Sequence, residues 1–122
     1  MGYGRKITGG KYHKFRKKKK HSLTGIERKV KLRETKKKTL RGQGGSKRKV
    51  LLSGDIVNLI DPKTKKAQKV KIKNVLETPA NRFLARQNIL VKGAIIETEA
   101  GKARITNRPS QEGNIQAILV RE

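Results

Sequence analysis

Positive charge is distributed so unevenly along this chain that it sets different limits on what each part can fold into. Residues 1–49 hold 20 Lys and Arg against Glu27 and Glu34, a surplus of 18, with only 10 apolar residues. Residues 50–122 hold 13 against 7, a surplus of 6, with 30 apolar residues. The first stretch cannot withdraw enough apolar surface from water to offset the entropy lost on ordering, so it is expected to be disordered alone. The second can build a core, although a small one. The expected division is therefore a basic arm over 1–45 and a compact β-domain over 46–122.

A formal charge of +24 on 122 residues implies a polyanionic partner, because such a chain repels itself. Cysteine is absent, which removes disulfides and thiolate metal sites. No run approaches the roughly 18 apolar residues of a membrane span. No apolar segment follows the first cations in the manner of a secretory signal, so the expected compartment is the cytoplasm.

The C-terminal part reads as mainly β. Val50–Leu52 and Asp55–Ile60 are short apolar runs parted by Ser53-Gly54, and Asp61-Pro62 ends the second. In AQKVKIKNVLE, Val70 and Ile72 alternate with Lys69, Lys71 and Lys73, the period of a half-buried strand. Those lysines form a basic face that suits either solvent or a polyanion. Ala80–Asn88 follows Thr78-Pro79 and suits one or two helical turns. Ala94–Thr106 reads as a hairpin about Ala100-Gly101, setting Glu99 opposite Lys102 and Glu97 opposite Arg104. Asn114–Arg121 is a last strand. The sum is a small six-stranded β-barrel-like domain preceded by an extended basic N-terminal arm. Val30 and Leu32, alternating with Lys29, Lys31 and Arg33, hint at one more strand or an extended strip.

Enzyme chemistry finds little support. Gly4 to Gly9 has the spacing of a phosphate-binding loop, but Gly10 stands where Lys is needed; ending on Gly10-Lys11 puts Arg5 in place of Gly and Tyr12 in place of Ser or Thr. Gly42-Gln43-Gly44-Gly45 lacks the strand before and helix after it that a dinucleotide site requires, and suits a flexible joint between arm and core. His13 and His21 stand among cations with no carboxylate or thiol near in sequence, which disfavours a metal. Glu97 and Glu99 face basic residues, as salt bridges rather than as an acid–base pair. No catalytic group, metal or cofactor is expected.

A membrane-surface helix would need apolar residues opposite its cations, and Lys14 to Lys20 offers only Phe15. Nucleic acid accounts for more. Lysine and arginine neutralise phosphates and release counterions. The residues assigned to this task are Arg5, Lys6, Lys11, Lys14, Arg16, Lys17, Lys18, Lys19 and Lys20, then Arg41, Lys47, Arg48 and Lys49. Tyr12, His13 and Phe15 add stacking or sugar contacts. Gly9, Gly10, Gly44 and Gly45 permit close backbone approach. Arg82 and Arg86 would form a second small patch if their segment is helical. A glycine-studded arm ahead of a compact β-domain suits a folded RNA better than a DNA duplex.

Three segments carry a resemblance: Lys6-Ile7-Thr8-Gly9-Gly10 with the basic run through Lys20; RGQGGSKRK from Arg41 to Lys49; and Asn81-Arg82, Asn88-Ile89 and KGAIIETEAGKARITNRP from Lys92 to Pro109. Together they resemble the archaeal form of the S-eight-e family of small-subunit ribosomal proteins. The longer eukaryotic members carry an insertion that is missing here. The resemblance adds Thr8 to the RNA-contacting set. It implies a structural constituent of the small, 30S-type subunit that binds ribosomal RNA and neighbouring ribosomal proteins. It implies no catalysis, cofactor, membrane or small-molecule substrate. A visiting assembly factor or RNA chaperone, or a DNA-compacting protein, is the alternative.

Overall fold

The computed structural model describes residues 4–13 and 16–120. Its strands are β1 (Lys31–Leu32), β2 (Lys36–Arg41), β3 (Lys47–Gly54), β4 (Ile56–Ile60), β5 (Ala67–Glu77), β6 (Ile95–Thr98), β7 (Gly101–Ile105) and β8 (Gln116–Leu119), with one short helix, α1 (Arg82–Arg86), between β5 and β6. Strands β4 to β8 form a closed barrel in sequence order, and β1, β3 and β2 form a three-stranded sheet in that spatial order. The fold is thus mainly β, as expected. All six expected strands are present, but five close the barrel and the first, β3, belongs to the neighbouring sheet.

Closure comes from β8 lying parallel to β4, with Asn58, Leu59 and Ile60 opposite Gln116, Ala117 and Ile118. The other barrel pairs are antiparallel. With every barrel strand paired on both sides, the barrel presents no free sheet edge. Its interior is filled by Val57, Leu59, Val70, Ile72, Val75, Ile96, Ala103, Ile105 and Ala117. Leu51 enters the same core from the neighbouring sheet, Val30 from the extended stretch just before β1, and Leu90 and Ile115 from loops. At this size a barrel is packed solid by side chains.

Strand β5 shows how the pattern produces the register. Val70 and Ile72 are buried while Lys69, Lys71 and Lys73 are exposed. A bulge between Ile72 and Asn74 then resets the alternation, so that Val75 points inward opposite Ile96. The Asn74 side-chain oxygen accepts from the Val75 N–H at 2.9 Å, which fixes the irregular backbone.

The β6–β7 hairpin corrects its expected register. The two-residue loop is Glu99-Ala100, and Thr98 faces Gly101, Glu97 faces Lys102 and Ile95 faces Arg104. Gly101 follows the turn at φ 124°, a conformation that L side chains rarely adopt, and Thr98 Oγ1 donates to its carbonyl at 2.7 Å. Each strand slips by one residue, so the faces are unchanged: Ile96, Ala103 and Ile105 stay buried and Glu97, Lys102 and Arg104 stay exposed.

A second correction concerns Gly42–Gly45. These residues are the loop of the β2–β3 hairpin rather than a flexible joint: the Gly42 N–H donates to the Ser46 carbonyl at 2.7 Å, and Gly44 and Gly45 turn at φ 70° and 77°. Two positive-φ residues in a tight loop favour glycine. The boundary expected after residue 45 falls inside this loop.

Candidate nucleic-acid interface

The β2–β3 hairpin concentrates charge to an unusual degree. From Lys36 to Gly54 it carries Lys36, Lys37, Lys38, Arg41, Lys47, Arg48 and Lys49 and no acidic residue. All seven are exposed. In register, Arg41 stands opposite Lys47, Leu40 opposite Arg48, Thr39 opposite Lys49 and Lys38 opposite Val50. Residues directly opposite share a face, so Arg41, Lys47, Lys49 and Lys37 lie on one face and Lys38 and Arg48 on the other. Cations directly opposite one another destabilise a strand pair by up to about 1 kcal/mol. The hairpin is therefore a double-sided cationic ribbon, whose repulsion anions on its surface would relieve.

The ribbon is rooted in the core. Val50 and Leu51 are buried, and the Leu51 N–H donates to the Pro109 and Glu112 carbonyls at 3.3 and 3.1 Å. Beyond Val50 no described residue of the hairpin is buried, and β3 runs on through Lys49, Arg48 and Lys47 at about 3.3 Å per residue towards the tip. At the tip Gly44 and Gly45 have open space around them, where backbone can approach a phosphate closely.

Beside the ribbon runs an open groove of about 460 Å³ lined by Lys29, Lys31, Arg33 and Lys36, with Glu34, Thr35, Leu52 and Ser53. Its floor is fixed by Ser53 Oγ donating to the Glu34 carbonyl at 2.7 Å and by Thr35 Oγ1 donating to Asp55 Oδ1 at 2.6 Å. The Val30/Leu32 alternation noted in the sequence supplies the groove: Val30 is 1 % exposed, and Lys29, Lys31 and Arg33 are turned outward by the same extended backbone. Sequence reasoning flagged that strip but did not assign its cations, nor Lys36, Lys37 and Lys38, to the site.

The glycine pair near the N-terminus forms a small turn of its own. Lys6 and Gly10 are joined by a 2.9 Å N–H to carbonyl bond around the loop Ile7-Thr8-Gly9, with Gly9 at φ 78°. Arg5 bridges to Lys11, and Arg5 Nη1 donates to the Gly9 carbonyl at 3.0 Å. Lys6 Nζ lies 5.6 Å from the centre of the Tyr12 ring, which is itself 53 % exposed. His13 and Arg16 to Lys20 are exposed, the last opening a single 3-10 turn over Lys20–Ser22. Lys14 and Phe15 lie outside the described residues. No contact joins this turn to the ribbon among the described hydrogen bonds.

Helix α1 places Arg82 and Arg86 on the surface one turn apart, as expected, with Asn81 capping it by accepting from the Phe83 N–H at 3.0 Å. Phe83 between them was not singled out from the sequence. Lys69, Lys71 and Lys73 are exposed on the barrel wall. Among the described residues no group of three or more His, Asp or Glu is placed to hold a metal ion, and no helix is long and apolar enough to cross a membrane.

Comparison with known proteins adds to this geometry. Residues 3–120 match the family described as Ribosomal protein S8e. Small ribosomal subunit protein eS8 of Sulfurisphaera tokodaii is 47 % identical over 120 residues, covering 97 % of this chain and 93 % of that protein. The eS8 proteins of Sulfolobus acidocaldarius and Methanococcus aeolicus are 48 % and 46 % identical, each again covering 97 % of this chain and 93 % of the relative.

Proposed function

The chain belongs to the ribosomal protein S8e family, and from that premise we propose that it is a resident structural protein of the small ribosomal subunit, holding ribosomal RNA through its β2–β3 ribbon and basic N-terminal segment. The observation that carries the reading is the ribbon itself: seven exposed cations without one acid, two of them, Arg41 and Lys47, directly opposed. A free protein gains nothing from that arrangement, whereas phosphates on both faces turn the repulsion into attraction and release counterions.

In this reading the arginines Arg41 and Arg48 hold phosphate oxygens with two donors each, and the lysines act as point charges that tolerate irregular backbone paths. The groove beside the ribbon takes a further stretch of the same strand. Gly9, Gly10, Gly44 and Gly45 let RNA backbone come close, and Tyr12 stacks on a base or packs on a sugar. The barrel is the rigid mount. Through Val30 and Leu51 it fixes the direction in which ribbon and groove face. Neighbouring ribosomal proteins complete the site, and the setting is the cytoplasmic ribosome, archaeal in type by its relatives. No step of this function needs catalysis or a cofactor.

The test is sedimentation of ribosomal particles with quantitative detection of the chain. A resident protein remains in mature small subunits at about one copy each after a moderate-salt wash. Recovery only on immature particles would make it an assembly factor, and recovery on chromosomal DNA would make it a DNA-compacting protein; either outcome overturns the proposal.

A further inference from the structure

Both aromatic residues that the structure describes, Tyr12 and Phe83, lie outside the core, at 53 % and 55 % exposure, and each has a cation over its ring. For Phe83 this is the more telling, because it belongs to the folded barrel rather than to the N-terminal segment. At about 100° per residue, positions 82, 83 and 86 of α1 fall within one arc, while 84 and 85 point the other way. Leu84 and Ala85 are accordingly half-buried, with Ala85 packed against the core. The outward arc is Arg82, Phe83 and Arg86. A phenylalanine there forgoes the burial that drives folding.

We propose that Phe83 is a stacking platform for an unpaired nucleobase, with Arg82 and Arg86 taking the flanking phosphates. The proposal rests on the RNA-binding reading above but names a different contact, one that a charged ribbon cannot make. The Arg82 guanidinium carbon stands 5.3 Å from the ring centre, so ring and guanidinium already hold each other and lose less freedom when a base joins them. Every base offers a π-face, which makes the site tolerant of sequence and selective for bases outside a duplex. The platform also adjoins the cationic surface. The residues after α1 pair with the strip carrying Lys29 and Lys31, with Leu32 N–H donating to Asn88 O at 2.9 Å and Leu90 N–H to Val30 O at 2.8 Å. That strip pairs in turn with β3 of the ribbon.

The chain contains no tryptophan, so Phe83→Trp in the full-length protein reports on this position alone. Titration with a single-stranded oligouridylate is expected to quench its fluorescence, whereas a blunt RNA duplex of equal length is not. In the otherwise native chain, Phe83→Leu is expected to weaken oligouridylate binding about five- to a hundredfold with an unchanged melting temperature, and Phe83→Tyr to retain it. Oligouridylate binding that leaves the tryptophan unquenched and Phe83→Leu at native affinity overturns the platform while the cationic reading survives. If the native chain binds neither RNA, both fall. If Phe83→Leu spares RNA affinity yet loosens the protein from small subunits, the face meets a protein and the stacking proposal is wrong.

Discussion

Asn107 is the residue on which the loop between β7 and β8 depends. Nearly buried, it donates from Nδ2 to Glu112 Oε2 at 2.7 Å and to the Asn114 carbonyl at 2.8 Å, and its Oδ1 accepts from the Gln116 N–H at 2.9 Å. The last of these bonds sits at the start of β8, so the side chain ties the loop to the strand that closes the barrel. Truncation by Asn107→Ala leaves several groups without partners at once, and is expected to lower stability by about 1–3 kcal/mol in urea unfolding. Thr78 presents the opposite case. It is 2 % exposed, and Oγ1 is buried with no hydrogen-bond partner among the described residues. Thr78→Val exchanges an unsatisfied hydroxyl for a methyl of nearly the same shape, and is expected to raise stability by about 1 kcal/mol in the same assay.

At the scale of elements, the β2–β3 ribbon separates stability from function. Lys47→Gln removes the cation facing Arg41, and is expected to stabilise the free protein by about 0.2–1 kcal/mol while weakening RNA binding. Thermal melting and an RNA titration on the same sample check both signs; a variant that gains or loses both would contradict the role given to this pair. The ribbon also marks where sequence reading stops. KKKTLR in β2 has no apolar alternation and little intrinsic β-propensity. It becomes a strand because β3 runs on beyond the barrel and offers it a partner. Gly42–Gly45 signalled a turn, but charge on both sides made a linker the simpler expectation. The barrel strands, by contrast, were legible, since burial imposes the period of two that Val70, Ile72, Ala103 and Ile105 display. Hairpin register was not, because a slip of one residue on each strand preserves every face. The candidate site's lysines in β2 were missed for the same reason as the strand that carries them, and Phe83 was not singled out because a lone aromatic in a short helix forms no motif.

For the whole molecule, a charge of +24 makes salt act in opposite directions on two properties. Screening relieves self-repulsion, so the free protein is expected to melt at higher temperature as salt rises from about 50 to 200 mM. Over the same range RNA affinity is expected to fall about 10³-fold or more, given six or more phosphate contacts. Melting curves and filter binding in matched buffers read the two trends. A flat affinity would contradict phosphate neutralisation, and a falling melting temperature would contradict repulsion as the limit on stability. The charge surplus was plain in the sequence; that part of it gathers on a two-stranded ribbon and the groove beside it was not.

The pairing of β8 with β4 has a consequence in time. The final strand of the barrel closes against the first, which lies more than fifty residues earlier in the chain. Such a ladder forms only after a long loop has been brought together, so closure is a late and slow event in folding. During synthesis β4 waits with one flank unpaired until the last strand has left the exit tunnel, while the cationic segment has long been outside. On the proposed function, the basic segment is thus free to meet RNA before the half that gives the protein its shape is complete.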